Sequence, residues 1–154
     1  MRLTTRTNFA IRVLMYCGVN EGSLTRSSDI AVACNASGNH LAQVIHQLHV
    51  NGFVTTTRGR SGGVRLRLAP KEISIGRVFR LFEANSPFTE CFSAADNTCP
   101  LTQACRLRGV LARSIEAFYH ELDQVTLDDL VRDNCALQAL LTMAEAPRQL
   151  CAGA

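Results

Sequence analysis

Seven cysteines stand in a chain of 154 residues, and Cys91, Cys99 and Cys105 crowd together, eight and then six positions apart. An odd number of thiols cannot all pair internally, and the opening residues do not read as a secretion signal. Metal or redox use is therefore favoured over a disulfide framework for those that cluster. Thiolates are soft ligands, and irregular backbone can aim three of them at one point where a helix would splay them. Neither spacing matches the CxxC pairs of zinc ribbons. Structural zinc usually takes four closed ligands, and the nearest histidine in sequence, His120, lies well down the chain. An iron-sulfur cluster whose fourth ligand comes from elsewhere is the better match, with zinc and three ordinary thiols as the alternatives. Cys17 falls on an apolar helical face and is expected in the core, with Cys34, Cys135 and Cys151 as packing or incidental thiols.

The segment that must position this trio, residues 84–100, loses all periodicity and gains Pro87, Asp96, Asn97 and Pro100. Long loops inside compact domains are usually functional or disordered. Before it, Ser74 is placed to cap a helix over 75–83 with Ile75, Val78, Phe79 and Phe82 facing inward. After it, a long helix over 107–125 carries an apolar stripe of Val110, Leu111, Ile115, Phe118, Tyr119 and Leu122. One chain offers such a stripe too little partner surface, so pairing across a two-fold axis is expected. Thr126 to Asp129 reads as a cap and acidic first turn opening a further helix that includes Leu130 and Val131, with Asn134 near its end. From about Pro147 the sequence reads as a loose tail.

The N-terminal half has a different character. Residues 6–19 put Phe9, Val13 and Tyr16 on one helical face. Ser27 is a plausible cap for a short helix over 28–34. The next helix starts near Ser37, runs to about Val50, and buries Leu41, Val44, Ile45 and Leu48. Two short helices joined by a tight turn, the second polar at its start, form the arrangement that meets base edges in a major groove. A strand at 53–57, a Gly-rich turn at 58–63 and an alternating strand with Val64, Leu66 and Leu68 on one face complete a hairpin with a basic tip. The expected fold class is mainly α with a small β-wing: a winged helix-turn-helix with a long C-terminal dimerisation helix. The expected divisions are 1–82 for DNA binding, 83–106 for the cysteine loop, 107–146 for dimerisation and the C-terminal helix, and 147–154 for the tail.

Charge supports this division of labour. Residues 1–80 hold ten Arg and one Lys against three acids, a balance of +8, whereas residues 81–154 hold five Arg against ten acids, a balance of −5. A basic half suits a polyanion, and Arg suits bidentate phosphate or guanine contacts. The candidate DNA contacts are Ser28, Ser37, Asn39, His40 and Gln43 on the helices, and Arg58, Gly59, Arg60, Gly62 and Gly63 at the hairpin tip. The glycines permit tight backbone and close approach to sugar-phosphate. At 47% hydrophobic and 19% charged residues the composition is globular. No apolar run is long enough for a bilayer, so a soluble cytoplasmic chain is expected. No nucleotide-binding glycine pattern and no nucleophile or acid-base constellation is present, so an enzyme is not expected. An electron-transfer protein, or a cluster-free thiol-oxidation sensor, are the rivals from outside the DNA-binding class.

The opening MRLTTRTNFAIRVLMYC, the stretch NHLAQVIHQLHVNGFVTTTRGRSGGVRL and the C-x7-C-x5-C run ending in ACRL together resemble the Rrf2 family of winged-helix repressors, from Met1 to about Leu141. ELDQVTLDDLV at 121–131 and ACRL at 104–107 resemble the nitric-oxide-sensing branch. The opening with Asn8 and the wide first cysteine gap resemble the rhizobial iron-responsive branch. The resemblance implies a homodimer on double-stranded, palindromic operator DNA, with a 4Fe-4S cluster, or alternatively 2Fe-2S, ligated by Cys91, Cys99 and Cys105. Nitric oxide or iron status would be the signal. In some members an aspartate of the partner subunit is the fourth ligand, at the position matching Asn8. Asparagine has no anionic oxygen to offer, which leaves that ligand open.

Overall fold

The computed structural model describes residues 3–59, 61–83, 87–93 and 95–143. Arg60, the tail expected from Pro147 and Cys151 within it lie outside the described residues.

Helix α1 (Thr5–Val19) starts at Thr4, whose hydroxyl accepts from the Thr7 amide at 3.2 Å. Its Ala10, Val13, Leu14 and Cys17 are buried. Helix α2 (Ser27–Ala33) follows, and Asn35, in the left-handed region at φ 48°, turns the chain into α3 (Gly38–Val50). Ser37 caps α3 as its position suggests, accepting from the His40 amide at 3.4 Å. Leu41, Val44, Ile45 and Leu48 recur at helical spacing on one side of α3 and pack inward.

Strands β1 (Val54–Thr57) and β2 (Gly63–Leu66) pair antiparallel, with Val54 opposite Leu66 and Thr57 opposite Gly63. Thr25 adds a third, single-residue rung: it exchanges backbone hydrogen bonds with Val64 at 2.9 and 2.7 Å. That rung corrects the expected cap of α2. The chain stays extended through Arg26, so Ser27 becomes the first helical residue and α2 has no side-chain cap.

Helix α4 (Ile75–Glu83) has Ser74 at its start and leads to the cysteine loop, in which residues 90–92 form one 3₁₀ turn. Helix α5 (Arg106–Asp123) crosses α4. Beyond it come α6 (Leu127–Val131), with Thr126 and Asp129 capping each other, and α7 (Cys135–Leu141). The helix expected to end near Asn134 stops at Val131, and a separate helix, α7, follows it. Asp133 adopts φ 53° and Asn134 begins α7, accepting from the Leu137 amide at 3.1 Å.

The core is one cluster around α1, α3, β1, β2 and α4, and the chain returns to it after α5: Leu127 and Val131 are buried beside Gly18 of α1. Backbone bonds from Ile75 to Val125 and from Leu127 to Ile73, each 2.9 Å, stitch that return to the base of α4. Asn20, itself buried, donates to the Leu141 carbonyl and accepts from the Met143 amide, fastening the end of α7 to the end of α1. No helix among the described residues is long and apolar enough to cross a membrane.

Candidate functional site

The two clusters of sequence-predicted residues occupy different parts of the molecule. On the first, Ser28, Ser37, Asn39, His40 and Gln43 are all exposed, on α2 and at the start of α3. Inward packing of Leu41, Val44 and Leu48 forces the intervening polar positions outward, so the same periodicity that builds the core leaves these side chains on the surface. Arg58 and Gly59 are exposed at the hairpin tip, where Gly59 takes φ 108°, a conformation that side chains rarely adopt.

Gly62 and Gly63 are half-buried and have another reason to be glycine. A Cβ on Gly62 would fall on the Thr57 carbonyl oxygen, and one on Gly63 would lie 2.5 Å from the Thr25 carbonyl oxygen. These two glycines close the hairpin and dock it on the chain before α2. Composition alone signals a tight turn there but not which backbone comes close.

The second cluster is the cysteine loop. Cys91, Cys99 and Cys105 are free thiols and half-buried. Each is held by a local contact. The Cys91 sulfur lies 3.0 Å from the Thr89 hydroxyl, the Cys99 amide donates to Asn97 Oδ1 at 3.2 Å, and Cys105 occupies the cap position of α5. The donor chemistry, three soft thiols on irregular backbone, fits a thiolate-bound metal centre. They are not gathered as a ligand set: among the described residues no three His, Cys, Asp or Glu side chains group closely enough to hold a metal ion. Each sits instead in its own local setting: Cys91 beside Thr89, Cys99 on the Asn97 turn and Cys105 at the start of α5. Convergence on a metal is the kind of rearrangement that metal binding itself drives. Asn8 is exposed in the first turn of α1.

Three contacts that sequence reasoning missed tie these parts together. Glu83, the last residue of α4, accepts from the Thr4 amide at 2.9 Å and from the Thr7 hydroxyl, placing a carboxylate on the N-terminus of α1, where a helix favours negative charge. Arg108 donates to the Cys91 carbonyl at 3.1 Å and lies over the Phe92 ring, strapping the loop to the first turn of α5. Arg80 pairs with Asp123 at 2.5 Å and lies 4.7 Å from the centre of the Tyr119 ring, while Phe79 meets Phe118 edge-on. The hydrogen bond from Arg80 holds the Asp123 carboxyl below its ordinary range. Pairs this distant in sequence leave no local signal; only the isolated acid ending α4 hinted at a role for Glu83.

Of the other cysteines, Cys17 and Cys34 are buried as expected. Desolvation pushes the Cys17 thiol up to about 11. Cys135 is disulfide-bonded, which corrects its expectation as an incidental thiol.

Residues 3–133 match the family model described as "Rrf2: Iron-dependent Transcriptional regulator". The chain belongs to the Rrf2 family. Among its relatives, the HTH-type transcriptional regulator NsrR of Geobacillus kaustophilus is 44% identical over 92% of this chain and 97% of its own length. The regulator of the same name from Halalkalibacterium halodurans is 40% identical over 93% and 99%. Among solved structures, T. potens IscR superposes with a TM-score of 0.68 at 24% identity, covering 95% of this chain and 94% of that one, a likeness of fold. The Rrf2 assignment makes the chain a transcriptional regulator, and its mainly helical architecture with a two-stranded antiparallel sheet agrees with it.

Proposed function

We propose that two copies of this chain repress transcription from a palindromic promoter site, and that Cys91, Cys99 and Cys105 ligate an iron-sulfur cluster, of 4Fe-4S type, whose damage by nitric oxide releases the DNA. The observation that carries the proposal is the position of the three free thiols, on a loop whose two ends are fastened to the DNA-reading part through Glu83 on α1 and through the α4–α5 crossing. The NsrR-named relatives support the nitric-oxide signal. The protein acts in the cytoplasm and is not an enzyme.

In this scheme Ser37, Asn39, His40 and Gln43 meet base edges, Ser28 meets phosphate, and Arg58 and Arg60 reach the minor groove or phosphates. The partner copy covers the first half of α5, where Leu107 is 61% and Val110 47% exposed. When bound, the cluster supplies an iron centre reactive toward nitric oxide and a tie among the three loop positions. Arg108 holds Cys91 against the first turn of α5, so freeing the thiols loosens the loop at the point where α5 leaves the head. That shifts the population of head placements on the duplex.

Anaerobic purification, an absorption spectrum with iron and sulfide counts, and operator binding with and without nitric oxide test this. A colourless anaerobic protein that binds operator equally well in both conditions would refute it. Because the matched family is described as iron-dependent, loss of the cluster under iron limitation is a second reading. Comparing how fast nitric oxide and a chelator abolish binding separates the two.

A further inference from the structure

A cleft of about 320 Å³ runs between the start of α1 and the outer side of α3, lined by Arg6, Gln43, His46, Gln47, Val50 and Asn51. Two of its polar side chains are tied to backbone: Gln47 donates to the Leu81 carbonyl at 3.5 Å and Asn51 to the Gln47 carbonyl at 2.8 Å. Gln43 is different. Its side chain meets Arg6, whose Nη2 donates to Gln43 Oε1 at 3.3 Å, and among the described residues it has no other side-chain hydrogen bond.

The chemistry of that pair is one-sided. A guanidinium has donors and no acceptor, so whichever way the Gln43 amide is drawn, its oxygen must face Arg6 and its NH₂ must face away. A free glutamine on a recognition helix reads adenine by a two-point contact, donating to N7 and accepting from N6. With its oxygen turned toward Arg6, Gln43 presents its NH₂ donors to the groove. The base edge that suits a donor-only group is guanine, which presents two acceptors, O6 and N7.

We infer that Arg6, on the first helix and outside the helix-turn-helix, is a specificity-determining residue: it orients Gln43 as a hydrogen-bond donor and turns this position of the operator from adenine to guanine. This rests on the DNA-binding assignment of α3 and adds to it the base preference at one position. Arg6 acts through Gln43, so it is a positioning residue, and its exposed side chain makes its replacement harmless to the core.

The test is selection of binding sites from a randomised duplex library by the full chain as wild type, Arg6→Met, Arg6→Lys and Gln43→Ala. Gln43→Ala identifies the base pair that this side chain reads, as the one position whose preference flattens. At that position wild type should favour guanine. Arg6→Met should raise adenine relative to guanine by about fivefold or more, the discrimination expected from one two-point contact. Arg6→Lys, which keeps a donor, should stay with guanine. An Arg6→Met protein with the wild-type thermal melt and an unchanged guanine-to-adenine ratio overturns the inference and leaves DNA binding standing. A wild-type protein that selects no sequence overturns the DNA-reading assignment and the inference together.

Discussion

Helices α3 and α5 carry apolar stripes of similar quality in the sequence, yet α3 buries Leu41, Val44 and Leu48 completely, whereas α5 has no buried residue along its 18 positions. The second half of α5 leans on α4 through Phe118, Tyr119 and Asp123; its first half leaves Leu107 and Val110 exposed. A stripe states that a surface must be covered, and only the rest of the chain states whether it covers it itself. Here the basic half closes its core with help from Leu127 and Val131 of the acidic half, while the first half of α5 leaves apolar side chains exposed.

The contrast can be broken from either side. The largest effect is expected in the loop. Replacing Cys91, Cys99 or Cys105 with alanine should abolish the cluster absorption and the nitric oxide response of DNA binding, while urea melts of the metal-free protein stay unchanged. In the head, Leu41→Ala should cost about 2–5 kcal/mol in chemical denaturation, the usual penalty for emptying a filled core position. Leu107→Asp should leave each chain folded but shift the protein toward monomer in sedimentation, because that side chain is mostly exposed within one chain. Arg58→Ala should make the slope of log affinity against log salt roughly 0.9 less negative, the change expected for one phosphate contact.

The smallest effect concerns Cys17. Burial holds its thiol at about 11, above its ordinary 9.0, so the folded state resists deprotonation more than the unfolded chain does. The stability from that neutral thiol is fully present below pH 9 and is lost as pH rises toward 11. Cys17→Ala should flatten the fall of the denaturation midpoint across that window, and an equal fall in both proteins would assign it elsewhere.

Much of this was legible from the residues because period and punctuation agree: Ser37, Ser74 and Thr126 cap the helices they precede, and the second strand of the hairpin buries Val64 and exposes Arg65 as its alternation predicts. What escaped notice depends on distant backbone. The Thr25–Val64 rung keeps Arg26 extended and moves the start of α2, and the left-handed Asp133 separates α6, which ends earlier than its residues suggested, from the further helix α7. The tip glycines signalled tight backbone, but not that Gly62 approaches the Thr57 carbonyl or Gly63 that of Thr25. The cysteine spacing proposes a site, but spacing alone cannot say whether the three thiols stand gathered or apart, and among the described residues they are not gathered.

Leu127 and Val131 fill a place in the core between Gly18 and the base of α4, on the far side of the cysteine loop in sequence. The head is therefore assembled from two stretches of chain. A protease nick between Phe88 and Ala104 would yield two fragments that remain clasped through buried side chains, and neither fragment would hold its shape alone. Such an arrangement lets the loop between them lengthen, shorten or exchange its ligands over evolutionary time, while the scaffold that reads DNA keeps its geometry.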